Sequence, residues 1–464
     1  MRLNRNITVN KIYLYNTASR KKEEFIPRQE KKVNFFVCGP TVYDYPHLGH
    51  AKAYIQFDFI VRYLRYREYD VNYVQNITDI DDKIIKRSQE KGVSWDKLAR
   101  EFEMIFLEDM AALHNTSVTK YARATNYIDQ IVKQVKVLLD KGFAYRISDG
   151  IYYEVSKFIE YGKLSGRTEL QEEDSVSRID ENKEKRGWND FCLWKISKEG
   201  EPTWETEIGK GRPGWHIEDT AITETLFGSQ YDIHGGAVDL IFPHHEAEIA
   251  QMEAASGKKP LVRYWLHVGF LNIDSKKMSK SKGNFKTIRQ VLEEYNYKVL
   301  RFLFLSSQYR SPMDFAEVTL EQAKNSWRRM QDFIEKIDIN INNSEEKKAV
   351  EELKEKVEIA LSNDLDTPTA FATIFDFIRA QNSRGVSGKY AYDYFVEINK
   401  FFDIFDFEIE EIPEEIQKLA DERLKARTDK NWAESDRLRN LIKEKGYLIE
   451  DLKNDCKIRK LVII

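Results

Sequence analysis

Within the first eighty residues a strand, a helix and a second strand follow one another, and that order commits the chain to a parallel sheet. Residues 33–38 (Val-Asn-Phe-Phe-Val-Cys) form a short apolar run closed by Gly39 and Pro40. A helix is predicted from about Leu48, with Ala51, Ile55, Phe59, Tyr63 and Leu64 on one face. Residues 70–76 then read as a second strand. Strands joined through a helix pair in parallel. Such open sheets bind ligands beyond the carboxyl ends of their strands, where the loop from Asn76 to Lys83 falls.

The rest of the chain is organised around that unit. Residues 125–141 carry an apolar stripe (Ile128, Ile131, Val132, Val135, Leu138, Leu139), with Gly142 placed as a C-cap. From about 143 to 211 the pattern is irregular and reads as an insertion, and the sheet pattern returns at Tyr231 to His234. Beyond about 318 the chain turns helical. Thr319 with Gln322 suggests a capping box, and Thr367-Pro368 an N-cap followed by a first-turn proline. An acidic linker is expected from Glu408 to Glu415, followed by a basic last segment. At 464 residues the chain exceeds one ordinary core. Its 3 cysteines cannot build a disulfide framework, and Cys192 and Cys456 read as structural. No apolar run nears the roughly 20 residues that span a bilayer, so a cytoplasmic protein with no membrane partner is expected. A net charge of −4 neither suggests nor excludes nucleic-acid binding, since the local field decides.

Three groups of residues carry chemistry. His47 and His50 lie three apart at the start of the predicted helix, where unpaired N–H groups favour anions, and Gly49 between them admits close approach. Their imidazoles suit donation to phosphoryl oxygens. Lys277-Met278-Ser279-Lys280-Ser281, with more lysines around it, suits a loop that closes on a triphosphate. His244 and Glu248, four apart after Pro243, share a helix face and suit one metal, to which Cys38 could add a thiolate.

His47-Leu-Gly-His50 followed by Lys277-Met-Ser-Lys-Ser281 makes the chain resemble the class I aminoacyl-tRNA synthetases. Phe36 to Asp44, Asn76 to Lys83, Gly211 to Glu218, Asp232 to Gly236 and Phe242 to Glu246 narrow the resemblance to the cysteinyl-tRNA synthetase family, over residues 10 to 452. The resemblance implies an α/β fold: a Rossmann-like parallel-sheet catalytic domain split by an insertion, then a helical bundle and a small C-terminal anticodon-binding domain. Its halves are expected at 10–125 and 212–272, the insertion at 126–211, the lysine-loop and stem-contact region at 273–317, the bundle at 318–407 and the anticodon-binding domain at 408–464. The implied activity joins L-cysteine to tRNA(Cys) with ATP, through cysteinyl-adenylate, in a monomer.

The resemblance also implies site residues. His47, His50, Lys277 and Lys280 would be catalytic. Gly39, Gly49, His234, Gly235, Gly236, Met278, Ser279 and Ser281 would join them in holding ATP with Mg²⁺. Thr41, Thr78, Trp215 and Asp239 would line the cysteine pocket. One Zn²⁺ per chain would sit on Cys38, Asp219, His244 and Glu248. Arg427, Trp432, Asp436 and Asp451 would read the anticodon.

Two departures stand out. The family pattern has cysteine after His-Ile-Glu, where this chain has Asp219. Asp219 is then a fourth, harder ligand, or the site has three ligands completed by substrate sulfur, or it binds metal weakly; the first is expected because the surrounding pattern is kept. The tail Lys453 to Ile464 lacks the family's Gly-rich, Trp-containing end. Two relatives with other tasks are conceivable. A ligase passing cysteine to a small amine would lack residues 318–464, and a non-catalytic RNA-binding paralogue would not need both phosphate motifs. A zinc hydrolase built on His244 to Glu248 would leave those motifs without a role.

Overall fold

In the computed structural model the described residues are 10–169, 182–273, 276–277, 286–385, 387–407, 412–451 and 456–460. The centre is a five-stranded parallel sheet. Its strands are β1 (Lys32–Val37), β2 (Asp70–Ile77), β3 (Lys120–Arg123), β4 (Tyr231–Ala237) and β5 (Val262–Val268), in the spatial order β3-β2-β1-β4-β5. The order reverses direction at the β1/β4 boundary. That boundary is the switch point where doubly wound sheets open a crevice for ligands.

The sheet is covered on both faces, as an all-parallel sheet requires. Side chains alternate, so Phe35 joins one apolar cluster and Phe36 the other. Helix α1 (Leu48–Tyr66) covers the first face. Helices α2 (Ile128–Asp140), α3 (Ile217–Phe227) and α4 (Glu246–Ser256) cover the second. The single apolar stripe read on α1 is too narrow: Lys52, Gln56 and Asp58 are also buried. The cause is a second layer of later segments: Lys52 donates to Gly269 O, Gln56 Nε2 donates to Phe304 O at 2.6 Å, and Asp58 Oδ2 accepts from Arg301 at 2.8 Å.

An antiparallel sheet of Ala144–Ile147, Gly150–Tyr153, Phe191–Lys195 and Arg212–Pro213 lies between β3 and β4 in sequence, and buries Cys192. Four helices, α5 (Glu317–Ile334), α6 (Ser344–Ser362), α7 (Thr367–Arg384) and α8 (Lys389–Phe402), form the later helical region. Two helix starts differ from the sequence reading. Thr319 is three residues inside α5, where its hydroxyl accepts from the Ala316 N–H at 3.0 Å. Asp366, not Thr367, caps α7 by accepting from Thr369 N at 3.1 Å, because aspartate one residue earlier reaches the orphan amide. The chain ends in α9 (Glu414–Thr428), α10 (Trp432–Glu444) and the hairpin Tyr447–Asp451 with Cys456–Lys460 around its own small apolar cluster. None of the three cysteines forms a disulfide, and no helix among the described residues is long and apolar enough to cross a membrane.

Candidate active site

The start of α1 is built by its two histidines. His47 is the N-cap, and its Nδ1 accepts from the amides of Gly49 and His50 at 3.1 and 3.4 Å. His50 returns the arrangement: its Nδ1 accepts from His47 N at 3.3 Å. This reciprocal pair is a capping box made from imidazoles. With both Nδ1 atoms accepting, the neutral rings carry hydrogen on Nε2. The rings stack at 3.8 Å. The motif is thus a helix cap that also fixes two ring donors at a positive helix end.

The lysine segment is anchored on both flanks, on the far side at this cap. On the far side, Leu48 N donates to Lys286 O and Ile288 N to Pro46 O, each at 3.2 Å. On the near side, Lys276–Lys277 pairs with Asn272–Ile273. Met278, Ser279, Lys280 and Ser281 lie outside the described residues, as does the Lys277 side chain.

Cys38 follows β1, and its chain is held by a 3.0 Å bond from Cys38 N to Gly235 O on β4. Asp219 comes from the first turn of α3, His244 from the turn before α4 and Glu248 from the first turn of α4. The structure brings all four together and buries them. Cys38 Sγ lies 3.4 Å from Asp219 Oδ2 and 4.0 Å from Glu248 Oε1, and His244 Nε2 lies 3.0 Å from Asp219 Oδ2 and 3.1 Å from Glu248 Oε1. Outer partners orient these donors. Asn76 Nδ2 donates to Asp219 Oδ1 at 2.6 Å, and His216 Nδ1 meets His244 Nδ1 at 2.8 Å.

Burial, with Asp219 and Glu248 beside it, pushes the Cys38 thiol well up. Burial also raises both carboxyls, Glu248 further through Asp219. Burial and mutual repulsion thus favour the protonated forms of all three acids. A divalent ion would replace those protons, and one thiolate, one imidazole and two carboxylates are donors that zinc accepts. The donor separations of 3.0–4.0 Å suit one ion at roughly 2.0–2.3 Å from each. The residues fit the metal.

Cys38, Asp219 and His244 of this set line a cavity of about 340 Å³, the size of a small-molecule site. Gly39, Thr41, His47, Gly49, His50, Thr78, Trp215, Gly236 and Asp239 also line it. Trp215 stacks on His244 at 4.1 Å. His234 and Gly235 were expected on the ATP side, and the structure places them elsewhere. The His234 ring is wholly buried, with Nδ1 2.6 Å from Tyr231 OH, because an inward-facing position of a central strand points into the core. A Cβ on Gly235 would strike Phe57 of α1 at 2.5 Å, so this glycine serves helix packing. Gly39 is a true close approach: a Cβ there would lie 1.7 Å from Asn76 O.

Arg427, Trp432 and Asp436 fall on α9 and α10; Trp432 and Asp436 are exposed and four apart on α10. Asp451 ends a strand of the final hairpin. Sequence reasoning missed Asn76, His216 and His245. The signal for Asn76 was its place at a strand end in the quoted loop, and for His245 its position beside His244.

Residues 24–325 match the family model for the class I (C) tRNA synthetase catalytic domain. The chain is 42% identical to the cysteine–tRNA ligase of Methanococcus maripaludis over 94% of its own length and 97% of that protein's. It is 44% identical to that of Thermoplasma acidophilum, over 94% and 98%. Among solved structures, a Mycobacterium tuberculosis methionyl-tRNA synthetase bound to methionyl-adenylate superposes with a TM-score of 0.58 at 15% identity, over 80% of this chain and 88% of that one, which marks a shared fold. A central sheet of Rossmann order, two imidazoles capping the helix at its switch point and near-full-length identity to these ligases agree: the chain belongs to the cysteine–tRNA ligase family of class I aminoacyl-tRNA synthetases.

Proposed function

We propose that the chain activates L-cysteine with ATP and transfers the cysteinyl group to the terminal adenosine of tRNA(Cys). The observation that carries this reading is the convergence of a thiol-seeking donor cluster and two phosphate-facing imidazoles on one cavity. In the first step a cysteine carboxylate oxygen attacks the α-phosphorus of ATP. The bond to the bridging oxygen breaks, and pyrophosphate leaves with its electron pair. In the second, the adenosine 2′-hydroxyl attacks the acyl carbon, loses its proton, and AMP departs.

No side chain need act as a nucleophile. His47 and His50 donate through Nε2–H to phosphoryl oxygens as charge develops, from the end of α1 that favours anions. Lys277 and Lys280, with Met278, Ser279 and Ser281, close on the triphosphate, which Mg²⁺ accompanies. Gly39, Gly49 and Gly236 admit the nucleotide, and Thr41, Thr78 and Asp239 hold the polar ends of cysteine and ribose. Trp215 walls the small side chain. Cys38, Asp219, His244 and Glu248 hold one Zn²⁺. When bound, the ion supplies a Lewis acid that prefers thiolate to hydroxyl, a discrimination that an apolar pocket cannot achieve between two side chains this alike. Arg427, Trp432, Asp436 and Asp451 contact the anticodon. The domain limits given above, a monomer and a cytoplasmic location complete the reading.

Cysteine-dependent ATP–pyrophosphate exchange tests it. Exchange with cysteine, and none with serine or without amino acid, is the expected result. Zinc-replete protein that exchanges with neither would overturn it.

A further inference from the structure

The core beneath the cavity holds more donors than one ion can use. His234 and His245 are wholly buried and, unlike Asp219 and His244, do not line the cavity. Both reach Cys38: their Nε2 atoms lie 3.3 and 3.1 Å from its Sγ. We propose that Cys38, His234, His245 and Glu248 form a second metal position, occupied by a zinc-class cation before the amino acid enters. This rests on the reading that the site holds metal. The two sets share Cys38 and Glu248, so a single ion has two places to sit.

Four observations support the assignment. The four donor atoms, like those of the first set, all lie within 4.8 Å of one another. Both histidines also have the outer partners that metal-bound imidazoles need: Tyr231 OH lies 2.6 Å from His234 Nδ1, and His267 Nε2 lies 2.8 Å from His245 Nδ1. His267 passes the chain on to Thr17 Oγ1 at 2.7 Å, so every ring nitrogen along it has a role. Third, Glu248 Oε2 is buried without a hydrogen-bond partner and lies 3.5 Å from His234 Nδ1. An orphan carboxylate oxygen in a closed core calls for a ligand. Fourth, charge favours this set. A divalent ion with one thiolate, one carboxylate and two neutral imidazoles is neutral. With one thiolate, two carboxylates and one imidazole it carries a net negative charge, which is costly at full burial. Asp219, standing where the family has a soft cysteine, does not remedy that. The cavity-facing set gains its advantage when the substrate thiol arrives beside it.

Zinc-edge X-ray absorption on the full-length, zinc-loaded protein without amino acid tests the proposal. A shell of one sulfur and two imidazoles is expected, and one imidazole would overturn it. His245→Gln, and separately His234→Gln in case one variant does not fold, should each lower the imidazole count by one. An unchanged count in a folded variant would overturn the proposal. Metal content is measured on the same samples. Wild-type protein that takes up no zinc would contradict the metal reading itself, a result distinct from zinc bound with a single imidazole.

Discussion

At the scale of single residues, the site depends on side chains with two jobs. His47 caps α1 through Nδ1 and presents Nε2. His47→Ala should therefore cost about 1 kcal/mol of stability as well as activity. His47→Asn, which keeps a capping acceptor, should melt like the wild type while its exchange kcat falls roughly 10²-fold. Comparing the two by calorimetry and exchange separates cap from catalyst. Cys38 is shared by both donor sets, so Cys38→Ser should lose zinc on dialysis and lower cysteine kcat/KM by about 10²-fold or more, measured by metal analysis and exchange. The metal donors were legible as residue types at workable spacings, together with a family pattern. Asn76, His216 and His245 were not, because an outer partner is defined by proximity across elements. His234 shows the opposite error. Its glycine neighbours resemble a nucleotide loop, whereas its place on a central strand turns its ring into the core.

At the scale of elements, the two phosphate motifs are coupled by buried polar anchors. Lys52, on α1 two residues past His50, donates to Gly269 O at 2.5 Å, Ser311 O at 2.9 Å and Phe270 O at 3.3 Å. Those carbonyls flank the strands Leu271–Ile273 and Met313–Phe315, from which the lysine segment departs. Lys52→Met leaves buried carbonyls unpaired and should lower stability by about 1–3 kcal/mol, read in urea melts. The variant should also lose exchange activity, with Lys52→Arg recovering part of both.

A second anchor is Arg289, in the short helix after the lysine segment. It bonds Asp109 Oδ1 at 2.7 Å. Burial raises the Asp109 carboxyl from 3.8 to about 6, against the pull of Arg289. The sign follows from proton binding. Between those values the folded state holds the proton more tightly, so this stabilising contribution is complete below about pH 4 and lost as pH rises through about 6. Relative to the wild type, Asp109→Asn should gain stability as pH rises from 4 to 6.5, checked by denaturant titration across that range. The sheet and helix order was legible because period-2 and period-3.6 patterns are local. The all-round burial of α1 was not, since it depends on segments more than 200 residues away.

At the scale of the whole molecule, the switch point between the central strands β1 and β4 gathers chemistry from Cys38, His47, Asp219 and His244, segments that share no local sequence. The C-terminal helices and hairpin have a separate apolar cluster. Removing residues 408–464 should therefore leave ATP–pyrophosphate exchange within about threefold of the full chain. Charging of tRNA should fall by about 10²-fold, the result expected if that segment supplies recognition rather than chemistry. The broad architecture was legible from the return of a strand pattern at Tyr231 and the helical run after 318. The cap positions were off by one to three residues because N-caps depend on which side chain reaches an orphan amide.

The central claim, that the cavity selects a thiol and delivers it to tRNA, is met most directly by charging tRNA(Cys) with cysteine in the presence of excess serine. The account predicts cysteinyl-tRNA alone, with the rate following zinc content. Seryl-tRNA in comparable yield, or cysteine charging indifferent to zinc, would contradict it.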